Sequence, residues 1–437
     1  MGVDLSGAQT RKSLFEPASK QVVAVAFVTS ASHDNQIRMS PELGWRRVDV
    51  RAIAVTIALV GVFGLCQGLS YPLLSLILER QGVDPALIGL NAAMMPAGIL
   101  ASGLLLPAAT RRFGSAAVAI ASLVLQAVLL VLIGAWRDLW LWFPARFLLG
   151  CAISGVYVTS ETWINTLTPA RIRGRVLGLF ASSLSLGFAL GPLVLIGTGV
   201  DDWRPFGAAV AITLAGALLL LTVFNHFPAT KTASQNSTSR FLAQAPFLLL
   251  LVFIVAAYDQ AFLALYPVYG TATGFKEQDV SSAITVWAAG NIVLQMPIGW
   301  LADHWSRRGT LILLCFATFA GALVLPYAQT SPHLLWPLLF VWGPASYGVY
   351  LLALLELGQR FSGSSLMAGN AAFAVMWGFG GLAGPTIVGF AMHPLGVNGL
   401  PWTLASIYGV LLVAAFLRPG LPDIVVKEQP TGRKQAS

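Results

Sequence analysis

The chain has 437 residues, of which 56% are hydrophobic and only 10% are charged, and its formal net charge is +8. Because soluble proteins carry about 25% charged residues, so few charges exclude a water-soluble fold, and the mean hydropathy of +0.75 indicates a polytopic membrane protein. The basic residues occur singly or in pairs between apolar runs, which excludes the basic patch of a nucleic-acid-binding protein. Three cysteines, Cys66, Cys151 and Cys315, lie inside apolar runs and argue against a disulfide framework or a metal site.

The first fifty residues precede the apolar part of the chain. Residues 22–28 are apolar, but a bilayer span needs about 20 residues. Lys20 before this run and the small residues after it are faintly similar to a signal peptide. We favour a disordered cytoplasmic tail over residues 1–50, within which Met39 is an alternative start to Met1.

Twelve apolar stretches follow, each about as long as a bilayer core requires. They cover residues 52–78, 85–109, 115–135, 139–163, 176–199, 205–227, 246–270, 280–302, 310–328, 334–357, 365–392 and 401–417. We expect helices for all of them, because unpaired backbone N–H and C=O groups are too costly in lipid. The predicted fold class is therefore an all-α membrane protein with 12 transmembrane helices.

The basic residues orient these helices. With the N-terminus inside, 21 of the 26 Lys and Arg residues lie in cytoplasmic segments, and only Arg80, Arg137, Arg204 and Lys276 lie in external ones. This distribution follows the positive-inside rule, and an even number of spans places both termini in the cytoplasm. We expect a multi-pass protein of the inner (cytoplasmic) cell membrane.

The chain divides into two halves that repeat each other. A polar cytoplasmic linker at 229–244 separates six spans at 51–228 from six at 245–418, and a cytoplasmic tail follows at 419–437. Three motifs recur 193 or 195 residues later: Gly155-Val156-Tyr157 as Gly348-Val349-Tyr350; Gly187, Gly191 and Pro192 as Gly380, Gly384 and Pro385; and Tyr71-Pro72 as Tyr266-Pro267. This duplication predicts two pseudo-symmetric six-helix bundles with a substrate site between them at the membrane midplane.

Residues 299–308, GWLADHWSRR, join the second and third helices of the second half. Gly299 allows close helix contact, and Asp303 suits the N-terminus of a helix in the opposite half, where the macrodipole favours an anion. With the paired basic residues Arg307 and Arg308, this loop resembles the signature of the major facilitator superfamily, and the resemblance extends over about residues 51–418. It implies that fold and transport by alternating access.

The first half departs from this signature. Its equivalent stretch, 107–114, has Arg111 where the family has its acid, followed by Arg112. We still expect both arginines at a cytoplasmic gate. Glu161 and Glu356 lie near the cytoplasmic ends of the fourth and tenth helices, a height that suits ion pairs with the loop arginines of their own halves, as in the gate networks of the family.

Arg146 on the fourth helix is the only basic residue well inside a predicted span. Burying an arginine costs at least about 2.5–3.5 kcal/mol on insertion scales. The Arg146-x-x-x-Gly150 pattern resembles one that the family uses in substrate or proton handling; the alternative is a side chain that extends to the nearby outer interface. The Gly-Pro motifs of the fifth and eleventh helices resemble an antiporter signature, although they equally suit close packing and a kink.

Asp259 lies about 14 residues into the seventh helix, or about 21 Å deep at 1.5 Å per residue. An intramembrane acid indicates function by default, the alternative being a neutral carboxyl bonded to a nearby Tyr or Asn. We expect Asp259 to carry a proton, or to pair with a cationic substrate or with Arg146. Polar and aromatic side chains expected along the pathway, or alternatively in interhelical hydrogen bonds, are Gln67, Asn291, Gln295, Asn370 and Trp377.

These features predict a secondary transporter of a small solute, coupled to protons and working in efflux or antiport. Uptake of a sugar or metabolite by facilitation or symport, or a receptor built on a transporter fold, are the alternatives. An enzyme is not expected, because the five histidines lie singly in tails and loops without a nucleophile–base pattern. No phosphate loop is present, and we expect a monomer in the lipid bilayer with no cofactor, metal or nucleic acid.

Overall fold

A computed structural model of the chain describes residues 47–169, 172–226, 241 and 243–417, and within these ranges it is helical and contains no strand. The helices of the first half are α1 (Arg47–Arg80), α2 (Pro85–Phe113), α3 (Ser115–Ala135), α4 (Leu139–Leu167), α5 (Arg173–Thr198) and α6 (Arg204–Leu221). The helices of the second half are α7 (Pro246–Ala272), α8 (Glu277–His304), α9 (Arg307–Ala328), α10 (Pro332–Arg360), α11 (Gly363–Leu395) and α12 (Gly399–Leu417).

Eleven segments of the described chain are long and apolar enough to cross a membrane. The last of them, residues 368–417, is 50 residues long and contains both α11 and α12. A short 3-10 turn, Gly396–Asn398, separates the two helices, and Gly396 has a φ of +63° there. Because only glycine adopts this left-handed conformation readily, the chain can reverse within three residues, and the twelve predicted helices are accounted for.

The helix ends follow local signals. The carboxylate of Asp84 accepts a hydrogen bond from the amide of Ala86 at the start of α2, at 2.8 Å, and Asp138 accepts one from the amide of Leu141 in α4, also at 2.8 Å. Such caps satisfy backbone donors that have no partner within the helix. Several helices extend beyond the apolar stretches that predicted them, because hydropathy reports the lipid core and not the helical turns at its margins.

The two halves pack in the same pattern. In the first half α1 packs on α5, α2 on α4, and α3 on α6; in the second half α7 packs on α11, α8 on α10, and α9 on α12. The contacts between the halves are also paired, with α2 on α11 and α5 on α8. The prediction of an all-α membrane protein with two pseudo-symmetric six-helix bundles is confirmed. The predicted tails and most of the linker at 229–244 lie outside the described residues.

The repeated glycines occupy equivalent helix crossings. On α5, a Cβ at Gly187 or Gly191 would collide with the backbone of α1. On α11, a Cβ at Gly380 or Gly384 would collide with the backbone of α7. Lipid tails are as apolar as the helices, so association depends on such close packing of small residues.

Candidate functional site

Asp259 lies at the middle of α7, which packs against helices of both halves. Its neighbours Tyr258 and Gln260 are buried, whereas Asp259 keeps accessible surface although protein encloses it on all sides. The carboxylate makes no hydrogen bond or ion pair with any residue that the structure describes. Asp259 is therefore a carboxylate surrounded by protein, and none of the described residues neutralises it or donates a hydrogen bond to it.

Arg146 lies on α4, and its side chain is fully buried rather than extended towards the membrane boundary. Nη1 donates a hydrogen bond to Oδ1 of Asn91 on α2 at 2.9 Å, and the guanidinium lies 5.6 Å from the ring centroid of Tyr71 on α1. Nε and Nη2 have no hydrogen-bond partner. The ring face attracts the cation, but the hydrogen bond and the ring leave part of the guanidinium unsatisfied.

Tyr71 is within electrostatic range of both charged groups. The charges of Arg146 and Asp259 both act on its hydroxyl, which is buried without a hydrogen-bond partner. Arg146 and Asp259 form no ion pair with each other in this conformation. Sequence reasoning did not select Tyr71 as a site residue, although the repeated Tyr-Pro pair at Tyr71 and Tyr266 was a signal that could have found it.

The other residues expected along the pathway are dispersed. Gln67 is buried on α1, and its Oε1 has no hydrogen-bond partner. Gln295 on α8 bonds to Asn291 Oδ1 and to the carbonyl of Pro344, both at 3.4 Å. The bond to Pro344 on α10 is an interhelical hydrogen bond of the kind that the sequence allowed as the alternative, whereas the bond to Asn291 lies within α8. Asn370 on α11 is partly exposed.

On the predicted cytoplasmic side, the described ion pairs stay within the second half. Glu356 on α10 pairs with Arg307 at 3.7 Å and with Arg360 on its own helix. Arg307 also lies 3.9 Å from Asp303, and Arg308 donates to the carbonyl of Phe416 at 2.9 Å. An approach of Asp303 to the start of α5 stays a prediction for a conformation closed on this side.

The corresponding residues of the first half are arranged differently. Glu161 on α4 is buried, and its charge acts on the hydroxyl of Tyr350 on α10, across the interface between the halves. Arg111 and Arg112 lie on the exposed end of α2, where Arg112 is 5.4 Å from the ring of Phe113. An ion pair of Glu161 with the loop arginines of its own half stays a prediction.

On the opposite side, named the outer side after the orientation that the charges predict, ion pairs join the two halves. Arg80 at the end of α1 pairs with Glu277 at the start of α8, and it also pairs with Asp201 of its own half. Asp84 before α2 lies 2.6 Å from Nδ1 of His393 on α11, a contact that is an ion pair when the imidazole is protonated and a hydrogen bond when it is neutral. Sequence reasoning missed all of these pairs, because nothing in a local pattern connects residues so far apart.

The helices also approach closely on the outer side. Gly89 of α2 lies against Pro385 and Gly389 of α11, with a spacing that leaves no room for a Cβ. Further in, Leu100 of α2 contacts Gly378 of α11. Together with the paired residues on this side, this packing holds the two halves together at the outer side.

The contact with His393 changes the pKa of the Asp84 carboxyl. Partial burial raises the pKa of this carboxyl, but hydrogen bonds from His393 and from the Ala86 amide, together with the charge of His393, outweigh that effect and lower the pKa below its ordinary value. The ionised carboxylate is therefore favoured while the outer side is closed.

The family model of the Major Facilitator Superfamily matches residues 56–368 and 248–436. The chain belongs to the major facilitator superfamily. It is 26% identical over 373 residues to the uncharacterized MFS-type transporter YfkF of Bacillus subtilis (strain 168), which covers 82% of this chain and 94% of the relative. It is 27% identical over 298 residues to the uncharacterized MFS-type transporter YcaD of Escherichia fergusonii, covering 67% and 76%.

Solved structures of the superfamily share the fold. The nucleoside transporter NupG has a TM-score of 0.70 at 13% identity, covering 86% of this chain and 100% of that chain. A bacterial homolog of the human lysosomal transporter Spinster, inward-facing and unoccupied, has a TM-score of 0.68 at 13% identity, covering 85% and 96%. The chain is thus a multi-pass membrane transporter of a small molecule and not an enzyme, as the sequence predicted.

Proposed function

We propose that this major facilitator transporter exports a small solute across the cytoplasmic membrane in exchange for protons, and that Asp259 carries the proton. The observation that supports this is a carboxylate at mid-membrane depth, surrounded by protein, that makes no ion pair and accepts no hydrogen bond among the described residues. An ionised carboxylate in low-dielectric surroundings costs free energy unless a proton or a cation neutralises it. Asp259 can therefore take up a proton when its space opens to one side and release it when the space opens to the other.

Alternating access requires two units that move against each other, and we assign this role to residues 51–228 and 245–418. We also propose that both termini lie in the cytoplasm and that the protein acts as a monomer. The pairs Arg80–Glu277 and Asp84–His393 hold the outer side closed. Breaking them lets α2 separate from α11. Closure of the cytoplasmic side then brings the charged ends of the two halves together.

The groups proposed for the cytoplasmic closure are Asp303, Arg307, Arg308, Glu161, Arg111, Arg112 and Glu356. In the present conformation Arg307 and Glu356 already form an ion pair within the second half. We assign Asp303 to the start of α5 in the closed state, because an anion near a helix N-terminus is stabilised by the macrodipole.

The test compares Asp259→Asn and Asp259→Glu with the unmodified protein in everted membrane vesicles, over a panel of solutes and with or without a proton gradient. Asn cannot bind and release a proton, so the Asn variant should lose uphill accumulation but keep solute exchange in the absence of a gradient. The Glu variant should keep part of the coupling. An Asn variant that reaches the accumulation ratio of the unmodified protein would overturn the proposal. If the Asn variant and the unmodified protein both transport independently of the gradient, the protein is a facilitator instead.

A further inference from the structure

The glycines of this chain make two kinds of helix crossing. At Gly98 on α2, an added Cβ would lie 2.0 Å from the carbonyl oxygen of Phe147 on α4, which belongs to the same half. Of the glycines that the structure describes, only Gly89 and Gly389 would place an added Cβ nearest to backbone atoms of the opposite half. The crossing of α2 and α11 at these two residues therefore joins the halves rather than building one of them.

This crossing leaves no space for a methyl group. A Cβ on Gly89 would lie 2.1 Å from the carbonyl oxygen of Pro385 and 3.2 Å from the Cα of Gly389. A Cβ on Gly389 would lie 2.6 Å from the carbonyl oxygen of Pro85. All of these neighbours are backbone atoms, which cannot rotate away as a flexible side chain can. Either methyl group is therefore accommodated only if α2 and α11 move apart.

The same two helices interlock further along their length. The ring of Pro96 on α2 lies 3.1 Å from the position of an added Cβ on Gly381, and the side chain of Leu100 lies 2.5 Å from that of an added Cβ on Gly378. From Pro85 to Leu100, α2 spans about 22 Å at 1.5 Å per residue. The contact between the halves thus extends over a large part of a hydrocarbon core about 30 Å thick.

The polar contact at the outer end belongs to the same crossing. Asp84 directly precedes Pro85, and His393 lies one turn after Gly389. Oδ2 of Asp84 and Nδ1 of His393 are 2.6 Å apart, and a hydrogen bond is lost beyond about 3.5 Å. A separation of the helices by about 1 Å would break this contact, so a single methyl group at the crossing removes a steric fit and a polar contact together.

We propose that the missing Cβ atoms of Gly89 and Gly389 set the conformational equilibrium of the transporter, so that one methyl group at either position shifts it to the outward-open state while both halves stay folded. Each half keeps its own packing, because the atoms nearest to an added Cβ at these positions all belong to the opposite half. The inference rests on the alternating access of the proposed function, but not on protons or on Asp259.

The test measures the opening of the outer side and the stability of the fold in the same samples. Spin labels are attached to cysteines introduced by Gln81→Cys, just before α2, and Leu395→Cys, at the end of α11; both residues are exposed. The three native cysteines are replaced by alanine. The distance between the labels is measured by pulsed electron paramagnetic resonance on purified protein in one detergent, without solute or gradient, and thermal unfolding is followed in parallel.

Glycine-to-alanine variants separate the two kinds of crossing. Gly89→Ala and Gly389→Ala should lower the ratio of short to long label distances at least about tenfold, as expected for overpacking against backbone, and should unfold close to the temperature of the unmodified protein. Gly98→Ala should unfold at a lower temperature and leave the distances unchanged. The matched control is Gly103→Ala, also on α2, where an added Cβ would meet nothing within 4 Å; it should change neither the distances nor the stability.

The proposal is overturned if Gly89→Ala and Gly389→Ala keep the short distance, or if the long distance appears equally in Gly98→Ala. It is also overturned if both Gly89→Ala and Gly389→Ala fail to fold, because the crossing would then be needed for the fold and not for one conformation. If only one of them fails to fold, the distances in the other decide. Proton coupling is decided separately, by the accumulation ratio of Asp259→Asn, so a shift of the distances without coupled transport would support this crossing and overturn the coupling.

Discussion

Gly191 on α5 lies directly against the backbone of α1, and this crossing makes a sharp test of the packing. A Cβ added at Gly191 would lie 2.7 Å from the Cα of Gly68, and closer still to the Gly68 carbonyl carbon and the Leu69 amide nitrogen. These are backbone atoms and cannot rotate away as a flexible side chain can. Gly191→Ala therefore forces the two helices apart. On the same helix, a Cβ at Gly197 would meet nothing within 4 Å.

The two substitutions should change stability in opposite directions. Replacing a helical glycine by alanine gains about 0.5–1 kcal/mol from the lower entropy of the unfolded chain. Gly197→Ala should show that gain alone. At Gly191 the overpacking cost of about 1–3 kcal/mol opposes this gain, and because the clash is with backbone atoms, we expect a net destabilisation of up to about 2.5 kcal/mol. Pseudo-symmetry predicts the same loss for Gly384→Ala, whose Cβ would meet the backbone of Ala257.

The assay is thermal unfolding of the purified variants in one detergent, followed by the fluorescence of the 13 tryptophans. We expect Gly191→Ala and Gly384→Ala to unfold at a lower temperature than the unmodified protein, and Gly197→Ala at the same or a higher temperature. Equal unfolding temperatures for Gly191→Ala and Gly197→Ala would refute the reasoning, because the only difference between them is the space around the new Cβ.

Two further predictions concern the buried cation and the outer ion pair. Asn91→Ala removes the hydrogen bond that Arg146 makes to a side chain of α2. It should therefore lower the free energy of unfolding by about 1.5–3 kcal/mol, measured by the same fluorescence assay. An unchanged free energy of unfolding would contradict the burial of an undersatisfied guanidinium. Asp84→Asn should shift the population towards the outward-open state at neutral pH, measured by distances between spin labels on the outer ends of α2 and α11. The pKa of Asp84 is lowered. The contribution of its carboxylate to outer closure is therefore complete above the ordinary carboxyl pKa of about 3.9 and is lost as the pH falls through the lowered pKa. Acidification from pH 7 to 5 should not remove this contribution. The assignment would be contradicted if the outer side of the unmodified protein opened between pH 7 and 5 and this pH effect were absent from Asp84→Asn.

The fold could be predicted because each of its signals is local. A run of about 20 apolar residues must form a helix in lipid, since its backbone groups have no other partners. The charge of the connecting segments orients the helices, and the motif at residues 299–308 adds the family. The sequence also separated the stretches 365–392 and 401–417, and a left-handed glycine, Gly396, makes the turn between α11 and α12.

Of the candidate site, the sequence predicted with most clarity the ionisable residues, which are rare inside membrane spans. Asp259 and Arg146 are conspicuous because ionisable groups are expensive inside a span. Tyr71 is not conspicuous, because the chain has 24 Phe, 13 Trp and 9 Tyr, and most of these side chains serve packing. Gln295 looked similar to the other polar candidates but is already bonded to Asn291 and the Pro344 carbonyl.

The sequence by itself determined the number of helices, the duplication of the halves and the depth of each charged residue, because these depend on composition along short stretches. Only the tertiary structure decided which faces meet: Arg146 with Asn91, Arg80 with Glu277, and Asp84 with His393, which are 309 residues apart. The physical reason is that lipid stabilises every apolar helix alike and does not select its rotation or its neighbours. Those are selected by close backbone approach at small residues and by the few polar groups that must find partners away from water.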